Sequence, residues 1–121
     1  AYIGSDSDVP NLGFVVAGTA ARKVMIRAVG PTLGSFGVSD SISDPQLELF
    51  RGTTRIDQND NWGGSATLNA VFATVGAFGF ADPMSRDAVL VTTLEPGAYT
   101  VVVTGVNGAK GTGLVEVYDV P

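Results

Sequence analysis

The chain has no cysteine, no histidine and a single tryptophan. Each shortage excludes something. Without cysteine there are no disulfides, no thiol nucleophile and no thiolate zinc site, although the compartment stays undetermined. Without histidine the commonest general base is gone, and with it the Ser-His-Asp triad and the usual transition-metal ligand. Charge is also scarce. Charged residues make up 16% of the chain, and seven Lys and Arg against twelve Asp and Glu leave a net charge of −5. No basic stripe is present, which argues against a nucleic-acid partner. No apolar run approaches the roughly 18 residues a membrane-spanning helix needs. No signal-peptide pattern is present, so a secreted protein is expected here in mature or excised form.

What is present is apolar and rich in turn formers. Hydrophobic residues are 45% of the 121, with sixteen glycines and six prolines. That is too apolar for disorder and enough for one domain, residues 1–121, with its own core. Many short strands are expected. Leu12 to Gly18 and Lys23 to Val29 flank the small-residue stretch "TAAR" and read as a hairpin. In the second, Val24, Ile26 and Ala28 share one face, and Met25, Arg27 and Val29 the other. An arginine at the centre of such a strand either reaches an edge or pairs with a carboxylate. The connection "GPTLGSFGVSDSISDP" is broken by prolines and glycines, and its Leu33, Phe36, Val38 and Ile42 suggest a loop tucked against the body.

Gln46 to Arg51 and Thr54 to Asp57 form a further strand pair around Gly52. Leu68, Val71, Phe72 and Val75 then fall at i, i+3, i+4 and i+7, predicting a short helix near 65–76 with Ser65 as N-cap and Gly76 as its stop. Three strands close the chain: Arg86 to Leu94, Ala98 to Gly105 and Gly113 to Asp119. They are joined by the turn "EPGAY" and by Asn107-Gly108, a hairpin signal. Tyr99, Val101 and Val103 alternate with Thr100, Val102 and Thr104, so this strand is expected to be central and covered on both sides. The total of about seven or eight strands predicts an all-β, antiparallel, jelly-roll-like β-sandwich, with a small barrel as the second reading.

The segment "DQNDNWGG", Asp57 to Gly64, concentrates the oxygen donors and the only tryptophan. An EF-hand needs oxygen ligands at loop positions 1, 3 and 5, glycine at 6 and glutamate at 12. Asp57, Asn59 and Asn61 suit the first three, but Trp62 and Leu68 occupy the last two, so the EF-hand fails. Two readings of the segment compete. One is a looser calcium site on Asp57, Asn59 and Asp60. The other is a structural corner, in which Asx-turns and glycines bend the chain and the indole covers the core. "GSDSD" at 4–8 and "SDSISD" at 39–44 are oxygen-rich loops that suit calcium or a solvated turn. Twelve acids allow a glycosidase pair in principle, but no aromatic-lined cleft is legible, and no enzyme is expected. A sugar-stacking surface would draw on Trp62, Tyr2 and Tyr118, with Phe36 and Phe80 on loops.

"GFVVAGTAARKVMIRAVGPTLGSFGV", "DPQLELF", "NDNWG", "VGAF", "DAVLVTTLEPGAYTVVVTG" and "GTGLVEVYD" together resemble a β-rich module that recurs, often C-terminally, in large secreted or surface proteins of environmental bacteria. Through the Asp-Trp loop and "PGAYTVVV" the chain is also weakly similar to bacterial pre-peptidase C-terminal domains. The resemblance spans nearly the whole chain. It implies an extracellular, non-catalytic β-sandwich and carries over no catalytic residue. Such modules continue upstream with a short strand ending in Ser-Thr-Arg before the segment matching Ala1 to Gly4. This implies either a longer protein cut beside an arginine or a mature subunit starting at Ala1.

The functional expectation is a structural or adhesive module at the cell surface, assembling with copies of itself or with neighbouring modules into a filament or array. Tyr2, Ile3 and Gly4 would be a donated strand, and Leu12 to Ala17 the accepting edge. The alternative is a carbohydrate-binding accessory domain. No cofactor is expected, unless it is calcium, and no membrane insertion.

Overall fold

The structure is a computed structural model and describes residues 2–3 and 11–121. Its strands are β1 (Tyr2–Ile3), β2 (Asn11–Val16), β3 (Arg22–Val29), β4 (Pro45–Arg51), β5 (Thr54–Asn59), β6 (Ala88–Leu94), β7 (Gly97–Gly105), β8 (Gly111–Thr112) and β9 (Leu114–Asp119). Two helices, α1 (Pro31–Gly34) and α2 (Ala66–Val75), interrupt them. One sheet has the order β2-β7-β4-β5 and the other β6-β3-β9, while β1 pairs with β8. Every strand pairing is antiparallel. The chain is an all-β sandwich.

The alternation in β3 explains its place. Val24, Ile26 and Ala28 point between the sheets, where they join Leu47, Leu49, Tyr99, Val101 and Val103 in one buried cluster. Met25 and Val29 point the other way, into a second cluster with Trp62, Phe72, Phe80 and Val89. The three-stranded sheet is therefore a middle layer, with the second cluster built on the face turned away from its partner sheet. That outer cover comes from α2 and the segments around it. The Ser65 hydroxyl accepts the Leu68 N–H at 3.2 Å, and Gly76 ends the helix at φ 74° in the left-handed region. Leu68, Val71 and Val75 pack on this cluster around the buried Phe72, whose full burial is worth about 2–3 kcal/mol.

Several expectations need correcting. The 12–18 and 23–29 segments do not form a hairpin, because β2 pairs with β7 while β3 pairs with β6 and β9. The strands ending the chain likewise alternate between sheets: β6 and β9 flank β3, and β7 lies in the other sheet. Local turn signals place a bend, but the strand leaving it is captured by whichever edge buries its apolar face. Asn107-Gly108 does take positive φ at both residues (53° and 77°), yet in a 3-10 turn that carries the chain across the sandwich. β7 is central in its sheet, with one face buried and the other partly exposed rather than fully covered. Tyr99, Val101 and Val103 are buried, while Thr100, Val102 and Thr104 are partly exposed. The 30–45 connection packs through the buried Leu33 and Ile42 as expected and contains the short α1; Phe36 is exposed instead.

Candidate functional site

The Asp57 to Gly64 segment runs from the end of β5 into a corner. Trp62 is 4% exposed. Its ring meets Phe72 at 5.8 Å and Phe80 at 5.3 Å between centroids. The indole N–H donates to Ser85 Oγ at 3.1 Å, and that hydroxyl donates to Asp87 Oδ2 at 2.6 Å. Asp87 is fully buried. Its carboxylate also accepts the Gly30 N–H at 2.7 Å, the Thr32 N–H at 3.2 Å and the Thr32 hydroxyl at 2.6 Å. With its lone pairs filled, this buried charge ties the β6 entry to the start of α1. The segment is thus a corner, and Trp62 is no sugar platform, because it is buried against Phe72 and Phe80. Phe80, also considered as an exposed loop aromatic, is buried in the same cluster.

The three expected calcium ligands are partly exposed and lie close in sequence. Asn59 Oδ1 accepts the Val89 N–H at 3.0 Å. Asp57 Oδ1 accepts the Gln58 N–H at 2.9 Å, and Asp60 Oδ1 accepts from the Asn61 side chain at 3.1 Å. Among the described residues no three Asp, Glu, His or Cys side chains converge as a metal cluster.

Tyr118 belongs to a different constellation. Arg27, fully buried, donates from Nε to Glu116 Oε1 at 2.9 Å and from Nη1 to the Phe78 carbonyl at 2.7 Å. Its Nη2 lies 2.7 Å from the same Glu116 oxygen but off the hydrogen-bond direction, so that contact is Coulombic. The guanidinium carbon stands 4.4 Å from the Phe78 ring centre, 4.6 Å from Phe80 and 4.9 Å from Phe72. An aromatic cage around a cation compensates part of its lost hydration. The Tyr118 hydroxyl donates to Glu116 Oε2 at 2.7 Å. Burial, this bond and the adjacent carboxylate raise the phenol above its ordinary 10.0, against a smaller opposing pull from Arg27. Tyr118 is partly buried with its hydroxyl already engaged. The sequence left Arg27 either reaching an edge or pairing with a carboxylate; the structure has the carboxylate, and neither Glu116 nor the cage was legible, because both come from segments far along the chain.

The remaining surface feature is a sheet edge. Four strands bound the two large sheets. β5 carries Arg55 and Asp57 and a register shift opposite Leu49 and Phe50. β9 carries Glu116 and Asp119. β6 is uncharged, but Asn59 caps the Val89 N–H and the Trp62 N–H donates to the Asp87 carbonyl at 2.9 Å. Charges, bulges and caps are the devices that keep edges from pairing. Among the described residues, β2 (NLGFVV) alone has none of them. Val15 on it is 70% exposed and Leu12 38%.

The ladder shows which β2 groups point away from β7. The Val106 N–H donates to the Asp44 carbonyl at 2.9 Å, in the same register that pairs β7 with β4. In an antiparallel ladder bonded pairs alternate, so the even-numbered residues of β7 bond to β4 and the odd-numbered ones to β2. Pro45 opposite Gly105 fits, since proline has no N–H to give. Tyr99 and Val101 therefore bond to Phe14 and Leu12. The N–H and C=O of Asn11, Gly13 and Val15 point outward, away from the sheet. Beside this edge a groove of about 440 Å³ opens between the two sheets, lined by Phe14, Val16, Val24 and Val117, with Arg22 and Asp119 at its rim. Those two are paired at 3.0 Å.

Of the expected donor segment, Tyr2 and Ile3 lie opposite Thr112 and Gly111 of their own chain. Gly4 lies outside the described residues, as does the 4–8 loop. Comparison of the chain with protein-family models, with curated proteins and with solved structures found no match.

Proposed function

We propose that this chain is a non-catalytic structural or adhesive module of the bacterial cell exterior, and that it assembles with copies of itself by strand addition at β2. The observation that carries the reading is an edge without protecting charge, bulge or cap among the described residues: a six-residue, uncharged strand with outward backbone groups, bordering an apolar groove. Backbone bonds to an added strand would supply affinity, and the groove would take its inward side chains. The inner ionisable groups support a scaffold role, because Arg27 and Asp87 are spent on holding loops to the sandwich. Placement outside the cell rests on the resemblance of the ordered motifs to modules of secreted and surface proteins.

Sedimentation velocity across a wide concentration range, with electron microscopy of the same samples, tests this. Growth of sedimenting species with concentration is expected. A protein that stays monomeric at the highest concentration overturns the reading.

A further inference from the structure

Resting on that reading, we infer that the strand added to β2 is the β2 of a second copy, paired antiparallel about a two-fold axis through Gly13. For a continuous sheet the axis stands perpendicular to it, and directly opposed residues must then share a face. Only registers centred on a residue satisfy this. Centring on Gly13 opposes Gly13 to its symmetry mate, Asn11 to Val15, and Leu12 to Phe14.

Asn11, Gly13 and Val15 are the residues whose backbone groups point outward in the ladder derived above. In this register each of them meets another such residue, so every outward N–H and C=O of the strand from 11 to 15 finds a partner. Centring on Phe14 instead would set Asn11 against Ala17, beyond the end of the strand, and force two phenylalanines into direct opposition. On the inner face, Leu12, 38% exposed in the single chain, would lie against the Phe14 of the other copy at the edge of its groove. At the centre Gly13 has nothing closer to its missing Cβ than the Tyr99 carbonyl at 3.9 Å. The approach is sterically clear.

The strand carries no charge, so two copies meet there without like-charge repulsion. The contact is small, at or below about 1,200 Å², which belongs to weak or transient association. A weak dimer, populated only as the protein is concentrated, is expected. A two-fold contact closes on itself. The dimer is then the unit of assembly, and any filament needs a second surface.

The chain lacks cysteine, so single cysteines report geometry cleanly. Under mild oxidation Gly13→Cys is expected to give a covalent dimer. Val15→Cys alone is expected to give none, because the two copies of that residue lie four positions apart along the pair. A mixture of Val15→Cys and Asn11→Cys proteins should cross-link again. Val15→Lys, at a residue 70% exposed, is expected to shift dimerisation at least tenfold towards monomer with unchanged melting. It also serves as the edge control should Gly13→Cys fold poorly. If Val15→Lys abolishes association but the Asn11/Val15 mixture does not cross-link, the two-fold register is wrong while edge assembly survives. Covalent dimers from Val15→Cys alone would likewise overturn the two-fold through Gly13. If the unmodified chain never associates, the self-assembly reading itself falls.

Discussion

Arg27 and Glu116 stand directly opposite each other across the β3–β9 pairing, the guanidinium fully buried and the carboxylate side chain 18% exposed. This one cross-strand pair holds more than its two strands. Through Phe78 and the rings of Phe72 and Phe80, Arg27 also fastens the segment after α2 to the middle sheet. A buried charge is costly to leave unpaired, so breaking such a pair on one side costs about 3–5 kcal/mol. Arg27→Ala should therefore lower the unfolding free energy by that amount, read as a lower urea midpoint at constant slope. Arg27→Lys should recover little, because a point charge cannot serve Glu116 and the Phe78 carbonyl together while stacking on rings. Full rescue by lysine would contradict the cage.

Trp62 should behave as core. Trp62→Ala removes a buried indole from three-ring packing and should cost about 3–5 kcal/mol in chemical denaturation. Trp62→Phe keeps much of the bulk but loses the donor to Ser85, at about 1 kcal/mol. A Trp62→Ala protein that melts like the parent would mean the indole sits on the surface after all.

The legible parts of the fold were those decided within a few residues. The α2 limits follow from Ser65, Gly76 and the spacing of Leu68, Val71, Phe72 and Val75. The two faces of β3 follow from strict alternation. Strand pairing was not legible, because β2 and β3 are neighbours in sequence but belong to different sheets, and nothing local records which edge each joins. Trp62 illustrates the same limit at the site. Its neighbours Asp57 to Gly64 announce a bend, whereas the partners that bury it, Phe72, Phe80 and Ser85, are set by tertiary packing. The β2 edge was legible as an apolar stretch. Its lack of protection became visible only beside the charges of β5 and β9 and the Asn59 cap on β6.

Gly105 offers a test of the crossing from β7 to β8. Its φ is −93°, which any residue adopts, so the constraint is space. A methyl group there would overlap the Ala109 carbonyl. Both partners are backbone, pinned by the Val106 N–H to Asp44 and the Ala109 N–H to the Val106 carbonyl at 3.0 Å. Neither can yield without breaking the turn. Gly105→Ala should destabilise by about 3 kcal/mol, read as a fall in melting temperature. Gly18→Ala makes an informative contrast, since it meets no atom within 4 Å and is strained only through its φ of 92°.

Tyr118 predicts an alkaline limb in stability. Its phenol is raised above 10.0 in the folded chain, first by burial and then by Glu116. The folded state therefore holds the proton more tightly than the unfolded one. Below the unfolded value both states are protonated and the contribution is fully present. Above it the unfolded chain releases its proton first, so stability falls as pH rises through the folded value. Ionised Tyr118 would then face the Glu116 carboxylate that Arg27 already shares, and the bond from its hydroxyl would be lost. Tyr118→Phe should flatten this part of the pH profile, at the cost of the hydrogen bond, about 1 kcal/mol at neutral pH. Paired melting curves of the parent and Tyr118→Phe from neutral to strongly alkaline pH, with phenolate absorbance followed alongside, give the comparison. Identical alkaline slopes in the two proteins would show that the Tyr118 proton is not coupled to folding.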